Sequence, residues 1–354
     1  MNVLIATGGT GGHIFPAIQT AKALRVRGHT VTFAGVLGRS EDKIRALEFP
    51  LYDLAAHGLD DRSFKGWLKF VTTMSGAVFR SFDVVRKSAP DKIIGFGSYG
   101  AFPVVMAGIL LRRPTMIHEQ NVLPGRANVL LAKFVKKVAI SFEASRKYFS
   151  RTKTVWTGCP CHGSVGLSQP EARSRFNLVP DKKTLLLLGG SQGSQKLNEV
   201  FYQLMESLPA VNFQAIHMTG PKEYALYQER YTKTNLSVVV YAFIDDISQA
   251  YAAADVVIAR AGAATVTELG LLGLAAILVP YPFAGNHQKY NADVLAACGA
   301  AIVIEQKNLT KDSLQEAVSR LLRSDTSRRA LQTKASGLLQ EDAARQLALV
   351  VEGL

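Results

Sequence analysis

The sequence has few of the features that mark secreted or membrane-spanning proteins. It contains only 3 cysteines among 354 residues, and an odd number does not suit a disulfide framework. The longest apolar run near position 100, Ala101–Leu111, includes a proline and is too short to cross a bilayer. The first residues, Met1–Ile5, lack the basic segment of a secretory signal. These absences predict a soluble protein of the cytoplasm.

Acidic residues are scarce relative to basic ones. The chain has 28 Asp and Glu against 41 Lys and Arg, which gives a net charge of +13 at pH 7. An anionic partner is therefore expected, and nucleic acid, an acidic membrane surface or a phosphorylated substrate would each suit this charge. A hydrophobic fraction of 48% is typical of a globular enzyme, and the length predicts two domains.

Short apolar runs alternate with longer amphipathic ones along most of the chain. This pattern predicts an α/β fold with parallel sheets and crossover helices. One series of strands extends from Val3–Thr7 to Thr154–Thr157, and a second from Thr184–Leu188 to Ala301–Ile304. Residues 158–183, rich in Gly, Pro, Ser and charge, are interpreted as the start of a second domain and its linker. After residue 324 we expect only helices.

Three glycine-rich turns each follow a strand-like run and precede a helix: Gly8–His13, Gly95–Gly100 and Gly189–Gly193. Glycine allows the backbone to approach a ligand closely, and the free N–H groups of a helix N-terminus attract phosphate. A single turn of this kind would have a purely steric explanation. Three of them predict a protein that holds phosphorylated ligands.

Two of these turns also match motifs of other enzymes. Gly95–Gly100 fits the dinucleotide fingerprint, with Glu119 ending the next strand, so an NAD(P)-dependent oxidoreductase is one alternative. Gly189–Gly193 fits the nucleophile elbow of a hydrolase, for which Asp255 and His287 are candidate partners. We favour a phosphate cradle at the latter turn, because no separate oxyanion loop is evident.

Polar residues near the predicted sheet edges are candidates for catalysis and binding. His13 enters the first helix and is a candidate general base. His118–Asn121 follow a strand at the edge where open α/β sheets bind ligands. Glu268, expected in the first turn of its helix, suits two ribose hydroxyls. Cys159–His162 resemble half a metal site without a second half, and a loop is the preferred interpretation.

Aromatic and basic residues are interleaved from Arg62 to Lys87, with Trp67, Phe79 and Phe82 among the aromatics. Such a helix suits an anionic bilayer surface. The clustering of basic residues around aromatic ones disfavours nucleic acid as the partner. Asp245 and Asp246 are adjacent and are expected to cap a helix, so they do not form a metal-binding Asp-x-Asp pair.

Six motifs in order, GGTGGHIFPA, GFGSYG, HEQN, GGSQGS, RAGAATVTEL and HQKYNA, resemble the MurG family over essentially the whole chain. These bacterial N-acetylglucosaminyltransferases convert lipid I to lipid II in peptidoglycan synthesis. The resemblance implies a GT-B fold, two Rossmann-like domains whose parallel sheets face a cleft. It implies inverting transfer of N-acetylglucosamine from UDP-GlcNAc to the C4 hydroxyl of the MurNAc-pentapeptide of undecaprenyl-pyrophosphate-linked lipid I, with no metal and no cofactor.

The resemblance also implies a division of labour between the domains. Residues 1–157 with a C-terminal helix at 337–354 would bind acceptor and membrane, and residues 158–336 would bind UDP-GlcNAc. The expected catalytic residues are His13, Asn121 and Glu119. The expected donor-binding residues are Thr10, Gly11, Gly12, Asn121, His162, Ser191, Ile244, Ala263, Ala264, Thr265, Val266, Thr267, Glu268 and Gln288. The expected acceptor-side residues are Gly97, Ser98, Tyr99 and His118.

The chain departs from the family pattern at Cys159–His162, where the family usually has Asn-Pro-Val-Arg. His162 thus replaces an arginine expected to help bind the donor, and an imidazole loses its charge near neutral pH. This departure supports a second alternative, a nonenzymatic nucleotide-sugar-binding protein. The expected partners are UDP-GlcNAc, lipid I, an anionic membrane surface and other cell-wall synthesis and division proteins, without nucleic acid. The expected location is the cytoplasmic face of the bacterial plasma membrane, as a peripheral protein.

Overall fold

The computed structural model describes residues 1–8, 11–38, 41–54, 64–163, 166–208, 212–323, 325–334 and 339–354. The chain divides into two compact units. One comprises Met1–Cys161 with Gln340–Leu354, and the other comprises His162–Leu339. Each unit contains its own parallel sheet with helices packed on it, and elements are numbered along the whole chain.

The first unit is built on a seven-stranded parallel sheet in the order β3-β2-β1-β4-β5-β6-β7. The strands are short and strongly apolar because both faces of the sheet are covered. They are β1 (Asn2–Gly8), β2 (Thr30–Val36), β3 (Leu51–Asp53), β4 (Lys92–Gly95), β5 (Thr115–Glu119), β6 (Lys137–Ile140) and β7 (Thr154–Trp156). The helices are α1 (Gly11–Val26), α2 (Glu41–Arg45), α3 (Phe64–Ser88), α4 (Ser98–Leu110) and α5 (Arg126–Leu131), with a 3₁₀ helix at Glu143–Tyr148.

The second unit is built on a six-stranded parallel sheet in the order β10-β9-β8-β11-β12-β13. Its strands are β8 (Lys183–Leu188), β9 (Phe213–Met218), β10 (Val238–Tyr241), β11 (Val256–Ala259), β12 (Ala276–Leu278) and β13 (Ala301–Val303). Its helices are α6 (Gln169–Arg175), α7 (Gln195–Ser207), α8 (Tyr224–Thr232), α9 (Ile247–Ala253), α10 (Ala263–Leu271), α11 (His287–Ala297), α12 (Lys311–Arg323) and α13 (Asp325–Lys334). Short 3₁₀ helices lie at Ala284–Asn286 and Gln306–Asn308.

The chain ends in helix α14, Ala343–Glu352, which packs on the first unit. Its buried side chains Leu347 and Val351 join the core formed by α1 and the sheet. At the surface, Glu352 accepts hydrogen bonds from the Arg27 guanidinium at 2.6 Å and 2.7 Å and lies 2.7 Å from His29 Nε2. The N-terminal and C-terminal segments of the chain therefore stabilise each other.

Topology determines where ligands can bind. In the first unit β1 and β4 are neighbours in the sheet. After β1 the chain continues to β2 on one side of this pair, and after β4 it continues to β5 on the other side. In the second unit β8 and β11 have the same relationship. Open α/β sheets bind ligands at the carboxyl ends of strands beside such a switch point. Each of the three glycine-rich turns follows one of these strands.

The strands agree with the sequence-based prediction better than residues 158–183 do. The strands of both predicted series are present, whereas β3 is an additional strand of 3 residues with partly exposed side chains. Residues 158–183, interpreted as a linker and the start of a second domain, contain a helix that the sequence argument did not predict, α6. Ser168 and Glu171 form a capping box at its start, with Pro170 in the first turn. That Ser-x-x-Glu spacing was the available signal.

Candidate active site

In the first unit, His13 lies in the first turn of α1, directly after the carboxyl end of β1. Its Nδ1 is 2.8 Å from the backbone carbonyl oxygen of Phe96 and 3.0 Å from Gln120 Oε1. A carbonyl oxygen only accepts, so Nδ1 carries the proton and Nε2 keeps its lone pair when the ring is neutral. The side chain is partly exposed. The geometry therefore presents His13 as a base.

The turn after β4 lies against the same histidine. A Cβ added to Gly97 would be 3.4 Å from His13 Cε1 and 3.2 Å from Asn128 Nδ2, and the φ of Gly97 is +78°. Ser98 has a φ of 69°, a conformation that a residue with a side chain adopts at a cost, and its Oγ accepts a hydrogen bond from Gly100. Tyr99 is 38% exposed. Of the predicted acceptor-side residues, Gly97 thus lies next to the candidate base, and Ser98 and Tyr99 follow it at the start of α4.

The carboxylate of Glu119 organises the loop that follows β5. Its Oε1 accepts hydrogen bonds from the backbone N–H and the side-chain amide of Asn121, at 2.8 Å and 3.3 Å. Its Oε2 accepts from Asn128 Nδ2 at 2.8 Å and from the Gly125 N–H at 3.1 Å. Glu119 is 2% exposed. The contacts favour a supporting role, in which Glu119 holds Asn121 in place, over direct proton transfer.

His118 lies at the carboxyl end of β5, as the sequence predicts, but its side chain is not exposed. The expectation is an acceptor-side contact, but the ring is fully buried and packs beside the Phe96 ring, with 5.3 Å between centroids. Its Nε2 lies 3.0 Å from the Gly158 carbonyl oxygen, and its Nδ1 lies 3.1 Å from Gln120 Nε2. Burial lowers the pKa of His118 to about 4. The ring is therefore neutral and enclosed, and it cannot contact an acceptor directly in this conformation.

Two further residues of the first unit that were predicted to bind the donor substrate, Gly11 and Gly12, form the start of α1. Their N–H groups belong to the first turn of a helix of 16 residues and have no carbonyl partner within that helix. Thr10 lies outside the described residues. The prediction for Thr10 therefore stays a prediction.

In the second unit, the turn after β8 requires glycine at two positions. A Cβ on Gly193 would lie 1.9 Å from the Thr219 carbonyl oxygen, and a Cβ on Gly189 would lie 2.8 Å from the Ser194 nitrogen. The close packing presents the partly exposed Ser191 just before α7. A turn of this kind, opening a helix of 13 residues without acid in its first turn, suits an anionic ligand.

Arg260 is a residue to which the sequence argument assigned no role. It follows β11, is 8% exposed, and directs its guanidinium at neutral oxygens. Its Nη2 donates to Ser194 Oγ at 2.5 Å and to Gln306 Oε1 at 2.6 Å, and its Nη1 donates to the Val279 carbonyl at 3.0 Å. Burial lowers its pKa to about 10, so it remains charged at neutral pH. The sequence did contain a signal for this residue, because a charged side chain directly after a buried strand is uncommon and needs a partner or a ligand.

Glu268 lies one turn later in its helix than the sequence predicts. Helix α10 begins at Ala263, so no acid occupies its first turn. The carboxylate is 6% exposed and is held by Tyr251, whose hydroxyl donates to Oε2 at 2.9 Å. The backbone N–H of His162 donates to Oε1 at 3.3 Å, and His162 Nδ1 lies 3.3 Å from the same oxygen. The structure thus brings together His162 and Glu268.

The other residues of the second unit that were predicted to bind the donor substrate differ in how exposed their side chains are. Ala264 and Thr265, at the start of α10, are partly exposed, and Ala263 is 7% exposed. Val266 and Thr267 are buried, so their side chains pack inside the unit. Ile244 is 9% exposed, and Gln288 Oε1 accepts from the N–H groups of Ala261 at 3.1 Å and Tyr281 at 2.9 Å. Gln288 therefore fixes the loops that flank α10 and α11.

The hydrolase alternative is contradicted by topology. Asp255 precedes β11, and its carboxylate accepts from the Thr184 N–H at 2.8 Å and from Arg173 Nη2 at 2.6 Å. It therefore lies at the amino ends of β8 and β11, whereas Ser191 follows the carboxyl end of β8. A serine and an acid at opposite edges of one sheet cannot act together.

Three further expectations concern metals and membranes. Asp246 is the N-cap of α9, as predicted, and accepts hydrogen bonds from Ser248 and Gln249. Among the described residues, no three His, Cys, Asp or Glu side chains form a group suited to a metal ion. Within the same ranges, no helix has both the length and the apolar character needed to traverse a bilayer.

Comparison with known proteins places this geometry in a family. Residues 3–140 match the glycosyltransferase family 28 N-terminal domain, and residues 184–347 match its C-terminal domain. A UDP-N-acetylglucosamine–N-acetylmuramyl-(pentapeptide) pyrophosphoryl-undecaprenol N-acetylglucosamine transferase from Thermodesulfovibrio yellowstonii is 38% identical over 329 residues, 91% of this chain and 90% of the relative. A transferase of the same name from Prosthecochloris aestuarii is 36% identical over 370 residues, 100% of this chain and 99% of the relative.

Solved structures agree with the sequence relatives. The crystal structure of Acinetobacter baumannii MurG superposes with a TM-score of 0.75 at 28% identity, covering 100% of this chain and 99% of that one. The calicheamicin glycosyltransferase CalG4, at 16% identity and a TM-score of 0.71 over 99% and 98% of the two chains, shares the fold. These likenesses confirm the prediction of a GT-B fold with two Rossmann-like domains. The chain belongs to glycosyltransferase family 28 and, within it, to the MurG family of N-acetylglucosaminyltransferases.

Proposed function

We propose that this protein transfers N-acetylglucosamine from UDP-GlcNAc to the C4 hydroxyl of the MurNAc-pentapeptide of lipid I, giving lipid II for peptidoglycan synthesis. The full-length relatives at 36–38% identity carry that transfer in their names. The observation that supports it most directly is His13, whose Nδ1 is occupied by two oxygens and whose Nε2 remains as a base. The oxidoreductase and the nonenzymatic binding protein have no comparable support.

The second unit would hold the donor. In our proposal the N–H groups of the Gly189–Gly193 turn and the start of α7 bind the pyrophosphate, and the start of α10 lies near the phosphate and ribose. Arg260 adds a buried positive charge that donates to Ser194, beside this turn. Oriented N–H groups and fixed charge stabilise a leaving diphosphate without reorganising during the reaction. This is the electrostatic part of the proposed mechanism.

The first unit would supply the base. His13 Nε2 removes the proton of the C4 hydroxyl as its oxygen attacks the anomeric carbon of the donor sugar. The bond between that carbon and the pyrophosphate oxygen breaks, UDP departs with its electron pair, and the configuration inverts. Asn121, fixed by the Glu119 carboxylate, would address the sugar during this step. General base catalysis of this kind contributes about 10²–10⁴-fold to a rate.

The test is transfer of labelled N-acetylglucosamine from UDP-GlcNAc to a lipid I analogue, measured with EDTA present. We expect transfer by the wild-type protein, and His13→Gln should reduce kcat by about 10²–10⁴-fold. Absence of labelled product from folded protein would contradict the proposed function. Near-complete activity of His13→Gln would contradict only the role of His13.

We further propose that the first unit binds an anionic membrane at the cytoplasmic face of the bacterial plasma membrane. Phe79 on α3 is 74% exposed, and beyond α5 Phe134 is 55% exposed. Lys133 and Lys136, next to Phe134, are also exposed. Exposed aromatics with basic neighbours suit an anionic surface. The side chains of Phe64, Trp67 and Phe70 lie outside the described residues, so their predicted contact stays a prediction.

Vesicle sedimentation tests this surface. Phe134→Ser should weaken binding to vesicles that contain phosphatidylglycerol. The matched control is Phe283→Ser, because Phe283 is 63% exposed but belongs to the second unit. Equal loss from both variants, or loss from neither, would count against a membrane surface on the first unit. Because the assay contains purified protein alone, vesicle binding by the wild type would show that other wall-synthesis proteins are not required for membrane attachment.

A further inference from the structure

A continuous row of polar side chains connects the candidate base to the interior of the first unit. It begins at the Phe96 carbonyl oxygen and runs through His13, Gln120 and His118 to the Gly158 carbonyl oxygen. Successive atoms are separated by 2.8 Å, 3.0 Å, 3.1 Å and 3.0 Å. Gln120 is 1% exposed and His118 is fully buried. Only His13 at the outer end can meet a ligand.

The two terminal carbonyl oxygens determine every proton position in this row. Gly158 offers only an acceptor, so His118 Nε2 is the donor there and the neutral ring presents Nδ1 as an acceptor. Gln120 must then direct its NH₂ group at His118, which directs its Oε1 at His13 Nδ1. Phe96 independently requires a donor from the same Nδ1. The carbonyl oxygens of Phe96 and Gly158 therefore require the same proton positions along the row, and no hydrogen-bond donor in it faces another donor.

We propose that Gln120, held in orientation by His118, is a positioning residue that fixes the tautomer and ring plane of His13. The proposal rests on the proposed function, in which His13 is the base. With Nδ1 protonated and bonded to two oxygens, the lone pair of Nε2 is the only basic site on the ring. An imidazole in the other tautomer would present an N–H to the hydroxyl group and could not accept its proton.

The row also determines how the ring carries charge after it accepts a proton. The Nδ1–H of the resulting imidazolium donates to two neutral oxygens, those of Phe96 and Gln120. The nearby carboxylate of Glu119 is directed instead at Asn121, Gly125 and Asn128. Hydrogen bonds from an imidazolium to neutral acceptors are weaker than a hydrogen bond to a carboxylate would be.

The first measurement uses the unaltered protein. Long-range ¹H–¹⁵N correlation of ¹⁵N-histidine-labelled full-length chain distinguishes the two neutral tautomers, and the signals of His13 are those lost in His13→Ala. We expect His13 with the proton on Nδ1 and His118 with the proton on Nε2. A His13 ring protonated on Nε2, or with both tautomers populated, would overturn the proposal whether or not the protein transfers sugar.

The second measurement removes the amide. Gln120→Met keeps the length of the side chain but has no donor and only a weakly accepting sulfur. Gln19→Met, on the same helix as His13, is the matched control. In Gln120→Met the Phe96 carbonyl oxygen still accepts from His13 Nδ1, so we expect that tautomer to remain the major one, with a detectable minor fraction of the other. We expect kcat to be about fivefold lower, the effect of one lost hydrogen bond, with KM for UDP-GlcNAc unchanged. Gln19→Met should change neither quantity. Unchanged His13 signals and kcat in Gln120→Met would also overturn the proposal.

The two proposals fail in different ways. If wild-type protein transfers no N-acetylglucosamine, the proposed function fails, while the tautomer of His13 still decides whether the row orders that ring. If transfer occurs and the tautomer of His13 is unaffected by Gln120→Met, the function stands and the positioning role fails. A merely structural role for Gln120 would lower the melting temperature without changing the tautomer.

Discussion

His162 Nδ1 and Glu268 Oε1 lie 3.3 Å apart, and the backbone N–H of His162 donates to the same oxygen. The His162 side chain is 26% exposed, whereas that of Glu268 is 6% exposed. The histidine therefore lies over a buried carboxylate that Tyr251 holds from the other side. In the family pattern that this sequence resembles, an arginine stands at this position. The imidazole keeps contact with the acid, but it provides neither a permanent charge nor a forked donor.

From this relationship we expect His162→Arg to tighten donor binding. A guanidinium can bond Glu268 and a phosphate oxygen simultaneously, so KM for UDP-GlcNAc should fall about threefold to tenfold at pH 8. His162→Gln, which restores no charge, should leave KM close to the wild-type value. Initial rates against UDP-GlcNAc concentration measure the difference. An equal or higher KM in His162→Arg would show that this position does not contact the donor.

Arg260 should be required for donor binding even though it is buried. Its partners are neutral oxygens, so its positive charge is available to a diphosphate bound at the adjacent turn. Arg260→Met should lower kcat/KM for UDP-GlcNAc about 100-fold, in the range measured when one transition-state donor is removed. Arg260→Lys, which restores charge without the fork, should recover part of that loss.

The matched control for Arg260 is another buried arginine of the same unit. Arg173 pairs with Asp255 at 2.6 Å, at the opposite edge of the sheet. Arg173→Met should lower the melting temperature, because it removes the closer partner of a buried carboxylate, but should preserve kcat/KM of the folded fraction. Equal kinetic loss from both variants would indicate that Arg260 acts through stability alone.

Gly193 should tolerate no side chain. Its φ of +75° disfavours any L-residue, and a Cβ would approach the Thr219 carbonyl oxygen to 1.9 Å. Gly193→Ala must therefore displace the turn, and we expect UDP affinity by isothermal titration to fall more than about tenfold. Gly28→Ala isolates the backbone conformation, because Gly28 has a φ of +80° with nothing within 4 Å of its Cβ. Equal UDP affinity in the two variants would argue against the cradle.

The sequence predicted most of the fold because its signals are local. Buried parallel strands appear as short apolar runs, and the glycine-rich turns mark their carboxyl ends. The same uniform burial explains the error at His118. All residues of β5 are buried, so the alternation of side chains gives no indication of which one reaches a ligand.

Roles that depend on distant contacts could not be predicted. Arg260 is recognisable only once Ser194 and Gln306 are near it, 66 and 46 residues away in sequence. Likewise, the amide of Gln120 is oriented by His118, whose own ring is held by the carbonyl oxygen of Gly158, beyond two further strands. The polar motif around His118 was visible in the sequence, but the division between an exposed base and its buried supports required the packing.

Glu352 should make the attachment of α14 dependent on pH. Hydrogen bonds from Arg27, and secondarily from His29, lower the pKa of Glu352 from 4.5 to about 2. Since the folded value lies below the unfolded one, the stabilisation is fully present above pH 4.5 and disappears as pH falls toward 2. The melting temperatures of wild type and Glu352→Gln should therefore differ at pH 7, and the difference should shrink below pH 4.5 and vanish only as pH approaches 2. Glu41→Gln is the control, because among the described residues Glu41 forms its ion pair within its own helix, with Arg45. A difference between wild type and Glu352→Gln that does not diminish at low pH would show that the carboxylate charge is not what holds the helix.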